Sequence, residues 1–228
     1  MNTYEVYYPN GLRIDSNNKI ESFIEFYNMC YYLSVSPQKE QIIENILYST
    51  KRLTCEDIGL ILEWKTGGHY ENKSGIMSYS YGIIDVLDVA NILCNLDRGK
   101  ISDQEAIAIL CSLCKVNQIG IVYAITLLYF LTNGQYPIYD RFVHIALIAI
   151  KQFRSYGSII TEQDIRGEIN LDKSKAGKKD IEGIFRCYQE CFVKPLTELF
   201  AYNRRTDRAL WVYGHLFNET QTNKFRAK

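Results

Sequence analysis

The sequence contains no apolar run long enough to cross a bilayer. The two longest, 121–131 and 142–150, fall well short of the roughly 20 residues that a membrane-spanning helix needs, and they read as buried helices with no membrane partner. Neither end shows the basic, apolar and cleavage segments of a secretory leader. Histidine is scarce: His69, His144 and His215 are the only three, and they are scattered. The seven cysteines are an odd number set inside apolar helical patterns, which points to reduced thiols and a cytoplasmic location and away from a disulfide framework. Cys111/Cys114 and Cys187/Cys191 are close pairs, yet each would need two further ligands in reach, and no tetrahedral metal set can be read. No metal and no cofactor is therefore expected. Repeats, low-complexity tracts and clear linkers are absent too.

Net charge is also missing, with 26 Lys/Arg balanced by 26 Asp/Glu, which by itself argues against a nucleic-acid partner. The balance is uneven along the chain. Residues 164–228 hold 13 basic and 9 acidic side chains, leaving 13 and 17 for residues 1–163. That permits a basic face without establishing one.

What is present is the composition of a folded protein, 47% hydrophobic and 23% charged in 228 residues. The start, TYEVYYPNGLRID, places aromatic and β-branched residues on both sides of Pro9-Asn10-Gly11 and predicts a β-hairpin arm over 1–16. Helical periodicity then takes over at 19–33, with Ile20, Phe23, Ile24, Phe26, Tyr27 and Cys30 on one wide face. Ser36-Pro37 opens a helix to about residue 50, and Thr54-x-x-Asp57 has the letters of a capping box for a helix ending near Lys65, before Gly67-Gly68. Residues 66–80 read as a polar, glycine-containing loop. Further helices are expected at 81–97, 102–116 (opened by Ser102-x-x-Glu105), 119–132, 140–153, 180–202 and 207–217, with a short strand at Ile159-Ile160 inside the polar, basic stretch 155–179. The expected fold is a single, mainly α domain over 1–228, with two helical lobes around a cleft.

The chemistry concentrates in QIGIVYAITLLYFLTNGQYPIYDRF, residues 118–142. Here two apolar runs flank a polar loop with Asp140 at its far edge. VNQIGIVYA, 116–124, followed by YDRFVHIAL, 139–147, resembles the helix-hairpin-helix superfamily of base-excision DNA glycosylases, most strongly over 102–153. In that family a glycine hairpin exposes helix N-terminal amides that hold a DNA phosphate, and an aspartate opening the next helix is catalytic. The resemblance therefore implies a helix-hairpin-helix element over 102–153, Asp140 as the catalytic carboxylate, and DNA contacts at Gln118 and Gly120. The lysine of bifunctional members would fall on Val122, 18 positions before Asp140. Gln118 replaces the hairpin's first glycine, Val122 cannot form a Schiff base, and the clustered cysteines of iron–sulfur members are missing. A monofunctional glycosylase is what these departures leave.

The family flips its target base and fills the gap from a loop, which makes Trp64, His69 and Tyr70 candidate wedge or stacking groups. Tyr136, Tyr139 and His144 are candidates for the base pocket, and Lys65, Arg141, Arg204 and Arg205 for phosphate contacts. Each has a plainer reading. Asp140 is among the best helix caps, His144 one turn later suits a satisfied core histidine, Trp64 suits the core, and the arginines suit a solvated face. Hence a second function class stands beside the enzyme: a non-catalytic helical module that binds DNA or a protein partner.

Overall fold

The computed structural model describes residues 6–7, 13–14, 19–152, 160–161, 163–165 and 178–217. Within them lie ten α-helices, a two-residue antiparallel pairing and a three-stranded antiparallel sheet. The pairing joins β1 (Val6–Tyr7) to β2 (Arg13–Ile14); the expected turn at Pro9-Asn10-Gly11 lies outside the described residues. Most of the 155–179 stretch does too, although Ile160 donates its N–H to the Phe217 carbonyl at 2.9 Å. No helix among the described residues is long and apolar enough to cross a membrane.

The helices are α1 (Lys19–Tyr31), α2 (Pro37–Tyr48), α3 (Cys55–Thr66), α4 (Val86–Leu93), α5 (Asp103–Leu113), α6 (Ile121–Leu131), α7 (Arg141–Lys151), α8 (Lys178–Tyr188), α9 (Lys194–Leu199) and α10 (Arg204–His215). Local chemistry starts many of them. Thr54 and Asp57, and again Ser102 and Glu105, form complete capping boxes, each side chain accepting the other residue's backbone N–H. Ser36 makes no such cap, and its hydroxyl instead donates to Gln38. Helices α8 and α9 are joined by a π turn at Gln189–Val193, in which Lys194 N–H reaches back to the Gln189 carbonyl. Pro195 follows directly; a proline cannot donate in a regular helix, and the widened turn carries the chain past it.

The expected loop at 66–80 is instead the sheet. Gly67 ends α3 in the left-handed region at φ 67°, a conformation glycine adopts without steric cost, and the chain turns into β3 (His69–Glu71), β4 (Ile76–Tyr79) and β5 (Gly82–Asp85). Tyr70 pairs with Met77 and Met77 with Ile84, so one buried side chain from each strand forms a row. Three- and four-residue strands are too short to register as an alternating pattern, and α4 consequently begins at Val86, capped by Asp85, rather than at 81.

The chain divides into two compact units. One contains α1, α7, α9 and α10. In it α10 packs on both α1 and α7, and Phe23, Tyr27, Tyr213 and Phe217 fill the interior, with the Phe23 and Tyr213 rings 5.1 Å apart. The other contains α2 to α6 and the sheet. Helix α6 is buried along almost its entire length, which accounts for its unbroken apolar sequence; each such side chain contributes about 1.5–3 kcal/mol when removed from water. Arg98, in the connection before α5, donates to the carbonyls of Ile46 and Leu47 at 2.7 and 2.8 Å and to that of Phe130 at 2.7 Å. One guanidinium thereby satisfies the C-terminal ends of α2 and α6, whose last carbonyls have no partner within their own helices.

Candidate functional site

Asp140 stands immediately before α7 with extended backbone angles, φ −133° and ψ 137°. Its Oδ1 accepts the Phe142 backbone N–H at 2.8 Å, and its own carbonyl accepts the first helical bond, from His144 N–H at 3.0 Å. It is a helix cap, as the plainer reading has it. The residue is half-buried. A capping carboxylate also faces the positive end of the helix dipole.

The residues around it come from α7 and from the far end of the chain. Exposed Arg141 places its guanidinium 5.1 Å from the centre of the Phe142 ring. On that same ring lies the imidazole of His215, stacked at 3.5 Å with an interplanar angle of 21°. Trp211 stands 4.0 Å from the His215 ring and 6.0 Å from Phe142. His215 Nδ1 is 2.7 Å from the Trp211 carbonyl. Burial pushes the imidazole below its usual range; the Trp211 carbonyl and the charge of Asp140 act the other way, and Arg141 adds to the depression. His215 is the residue that sequence reasoning missed. One histidine in the last turn of a late helix carries no periodic or motif signal, and only the packing of α10 against α7 lays it on Phe142, the residue whose N–H Asp140 accepts.

Tyr139 and His144 face inward. His144 is fully buried, its Nδ1 is 3.1 Å from the Tyr139 hydroxyl, and both rings pack edge-on against Phe192. Tyr136, in the other unit, is buried as well and donates to Asp103 at 2.8 Å. These three rings form interior contacts in the structure rather than an open stacking surface.

The turn between α5 and α6 holds Gln118 and Gly120. Gln118 is exposed with φ 65°, so the position where the resemblance expects glycine adopts the left-handed conformation while carrying a side chain, which accepts a 3.3 Å bond from the Tyr79 hydroxyl. Gly120 is the N-cap of α6, without a side-chain cap bond, and a Cβ there would meet nothing within 4 Å. Val122 is half-buried in the first turn of the helix.

Among the other candidates, Trp64 is half-buried and meets Phe130 edge-on at 6.1 Å, and Lys65 is half-buried beside it. His69 is exposed on β3, its Nδ1 4.0 Å from the Glu63 carboxylate. Tyr70 is buried against α3; its hydroxyl lies 3.8 Å from Cys55 Sγ, and its pKa is pushed up to about 12, chiefly by burial. Arg204 is buried and ion-paired with Asp207, and it donates to the Tyr31 hydroxyl at 3.2 Å. Arg205 beside it is exposed. Cys187 and Cys191 place their sulfurs 3.8 Å apart, but no group of three potential metal ligands occurs among the described residues. No protein-family model, no curated protein and no solved structure matches the chain.

Proposed function

We propose that this protein is a DNA glycosylase-like hydrolase that releases a flipped base by cleaving its N-glycosidic bond, with Asp140 as the catalytic carboxylate. The observation that supports the reading best is the setting of Asp140. The residue is half-buried, its carboxylate is held in place by the Phe142 N–H, and its charge acts on the His215 imidazole that stacks on the Phe142 ring. Departure of the base builds positive charge on the deoxyribose, and a fixed carboxylate in a water-poor setting stabilises that oxocarbenium ion. In the same reading α5, its turn and α6 serve as the helix-hairpin-helix element, with the uncapped amides after Gly120 receiving a phosphate. Val122 offers no amine, so the product is an intact abasic site.

A second reading, a non-catalytic helical module that binds DNA or a protein, draws support from the burial of Tyr70, Tyr136, Tyr139, His144 and Arg204, five groups the enzyme reading would place against DNA. A panel of duplexes carrying different lesions separates the two. The enzyme reading expects base release from at least one of them, no borohydride-trapped adduct, and a loss of roughly a hundredfold or more in rate for Asp140→Asn. Asn caps a helix about as well as Asp, so the melting temperature should stay nearly constant. An equally active Asn variant reduces Asp140 to a cap. DNA binding without release from any duplex selects the module, and a trapped adduct would point first to Lys65.

A further inference from the structure

Phe142 fixes two polar groups at once. Its backbone N–H holds the Asp140 carboxylate at 2.8 Å, and its ring carries the His215 imidazole at 3.5 Å. The two groups come from separate segments of the unit's sequence and are brought to one residue by the approach of α10 to α7. The His215 tautomer is set as well. A carbonyl oxygen can only accept, so the 2.7 Å contact with Trp211 requires the hydrogen on Nδ1, and the neutral ring then carries its lone pair on Nε2. The residue is half-buried, not sealed.

Charged groups at the start of α7 act on the His215 ring. Asp140 and Arg141 reach it from the start of α7 with opposite effects, and burial outweighs both, favouring the neutral ring. On α10 itself, Arg204 and Asp207 are paired with each other, Arg204 also donates to Tyr31, and Arg208 donates to Asn28 of α1 at 2.7 Å. At neutral pH the site therefore combines a carboxylate with an uncharged base of fixed tautomer.

We infer that His215 is the proton acceptor of the Asp140 site, its Nε2 taking the proton of the attacking water while Asp140 stabilises the sugar cation. The inference rests on the glycosylase reading above. In the step, the N-glycosidic bond breaks with its electron pair leaving on the base. The water oxygen bonds to the anomeric carbon, one water proton passes to Nε2, and that proton is then given up to the departing base or to solvent. Dividing the work between two groups spares the carboxylate from neutralisation at the moment its charge is needed.

Two measurements test it. The first is a proton NMR titration of the imidazole signals in the wild type and in Asp140→Asn, which keeps the cap. His215 is expected to titrate below the ordinary histidine value and lower still once the carboxylate charge is gone; an unchanged His215 titration in the Asn variant overturns the pairing. The second is single-turnover base release as a function of pH. His215→Gln should lose about a hundredfold at neutral pH and the rise in rate through the histidine titration, while its DNA affinity and circular dichroism stay as in the wild type. A His215→Gln variant as active as the wild type at every pH overturns this inference alone. A wild-type protein that releases no base overturns the glycosylase reading, and the proton transfer falls with it.

Discussion

A Cβ placed on Gly214 would fall inside the contact distance of the Phe142 carbonyl. Helices α10 and α7 touch there through backbone, and the same approach lays the adjacent His215 ring over Phe142. Gly214 is thus a packing requirement set by a neighbour in space.

Replacing Gly214 with Ala is expected to destabilise the protein even though Ala is the better helix former. The gain in helix propensity is about 1 kcal/mol, whereas forcing apart two packed helices costs typically 1–3 kcal/mol and more where backbone must move. Gly183 supplies the control. It lies in α8, exposed, with nothing within 4 Å of a built Cβ, so Gly183→Ala should stabilise by about 0.5–1 kcal/mol. Urea denaturation of the two variants should show shifts of opposite sign; a common direction would refute the close approach.

Arg98 provides the second prediction. In Arg98→Met the carbonyls of Ile46, Leu47 and Phe130 lose their shared donor. Hydrogen bonds to a charged group contribute about 1.5–3 kcal/mol, so a loss of at least that size is expected. Arg98→Lys should recover little of it, because a single ammonium cannot reproduce the planar fork that spans two helix ends. Equal stability of the Lys variant and the wild type in thermal melts would contradict this account.

Gly120 separates binding from folding. Open space around its built Cβ means that Gly120→Leu should cost below about 1 kcal/mol, the scale of a changed N-cap. A bulky side chain would nevertheless keep a phosphate away from the α6 amides. Fluorescence anisotropy with a labelled duplex should therefore show weaker binding at nearly unchanged stability, and wild-type affinity should fall as salt rises. Undiminished binding by the folded Leu variant would remove the turn from the DNA-binding surface.

Alkaline pH should unfold the protein early. Burial raises the pKa of Tyr70 to about 12, and those of Tyr136 and Tyr213 are raised as well, chiefly by burial and, for Tyr136, also by its bond to Asp103. Where the folded pKa lies above the unfolded value near 10, the folded state holds more protons between the two values. Stability then falls as pH rises. The urea midpoint should drop from pH 10 upward, with some tyrosinate absorbance appearing only as the protein unfolds. Tyr70→Phe should weaken that dependence, and a midpoint flat to pH 12 would exclude it.

The sequence by itself determined where several helices begin and which one is most deeply buried. The bonds of Thr54 with Asp57, of Ser102 with Glu105 and of Asp140 with Phe142 span two or three residues, so the letters suffice to predict them, and a run such as IVYAITLLYFL has no stable place outside a core. Tertiary structure alone decided what the side chains meet. Tyr70, Met77 and Ile84 become one buried row only when three strands too short to be read individually pair in register. Arg204 could have faced a phosphate and instead lies in the interior, paired with Asp207 and donating to Tyr31, and His215 stacks on Phe142 only through the approach of α10 to α7. The physical division is one of range. Capping and burial tendency are local properties of a few consecutive residues, whereas the contact that seats Arg204 on Tyr31 and the stacking of His215 on Phe142 depend on partners far apart in the chain, which no local pattern specifies.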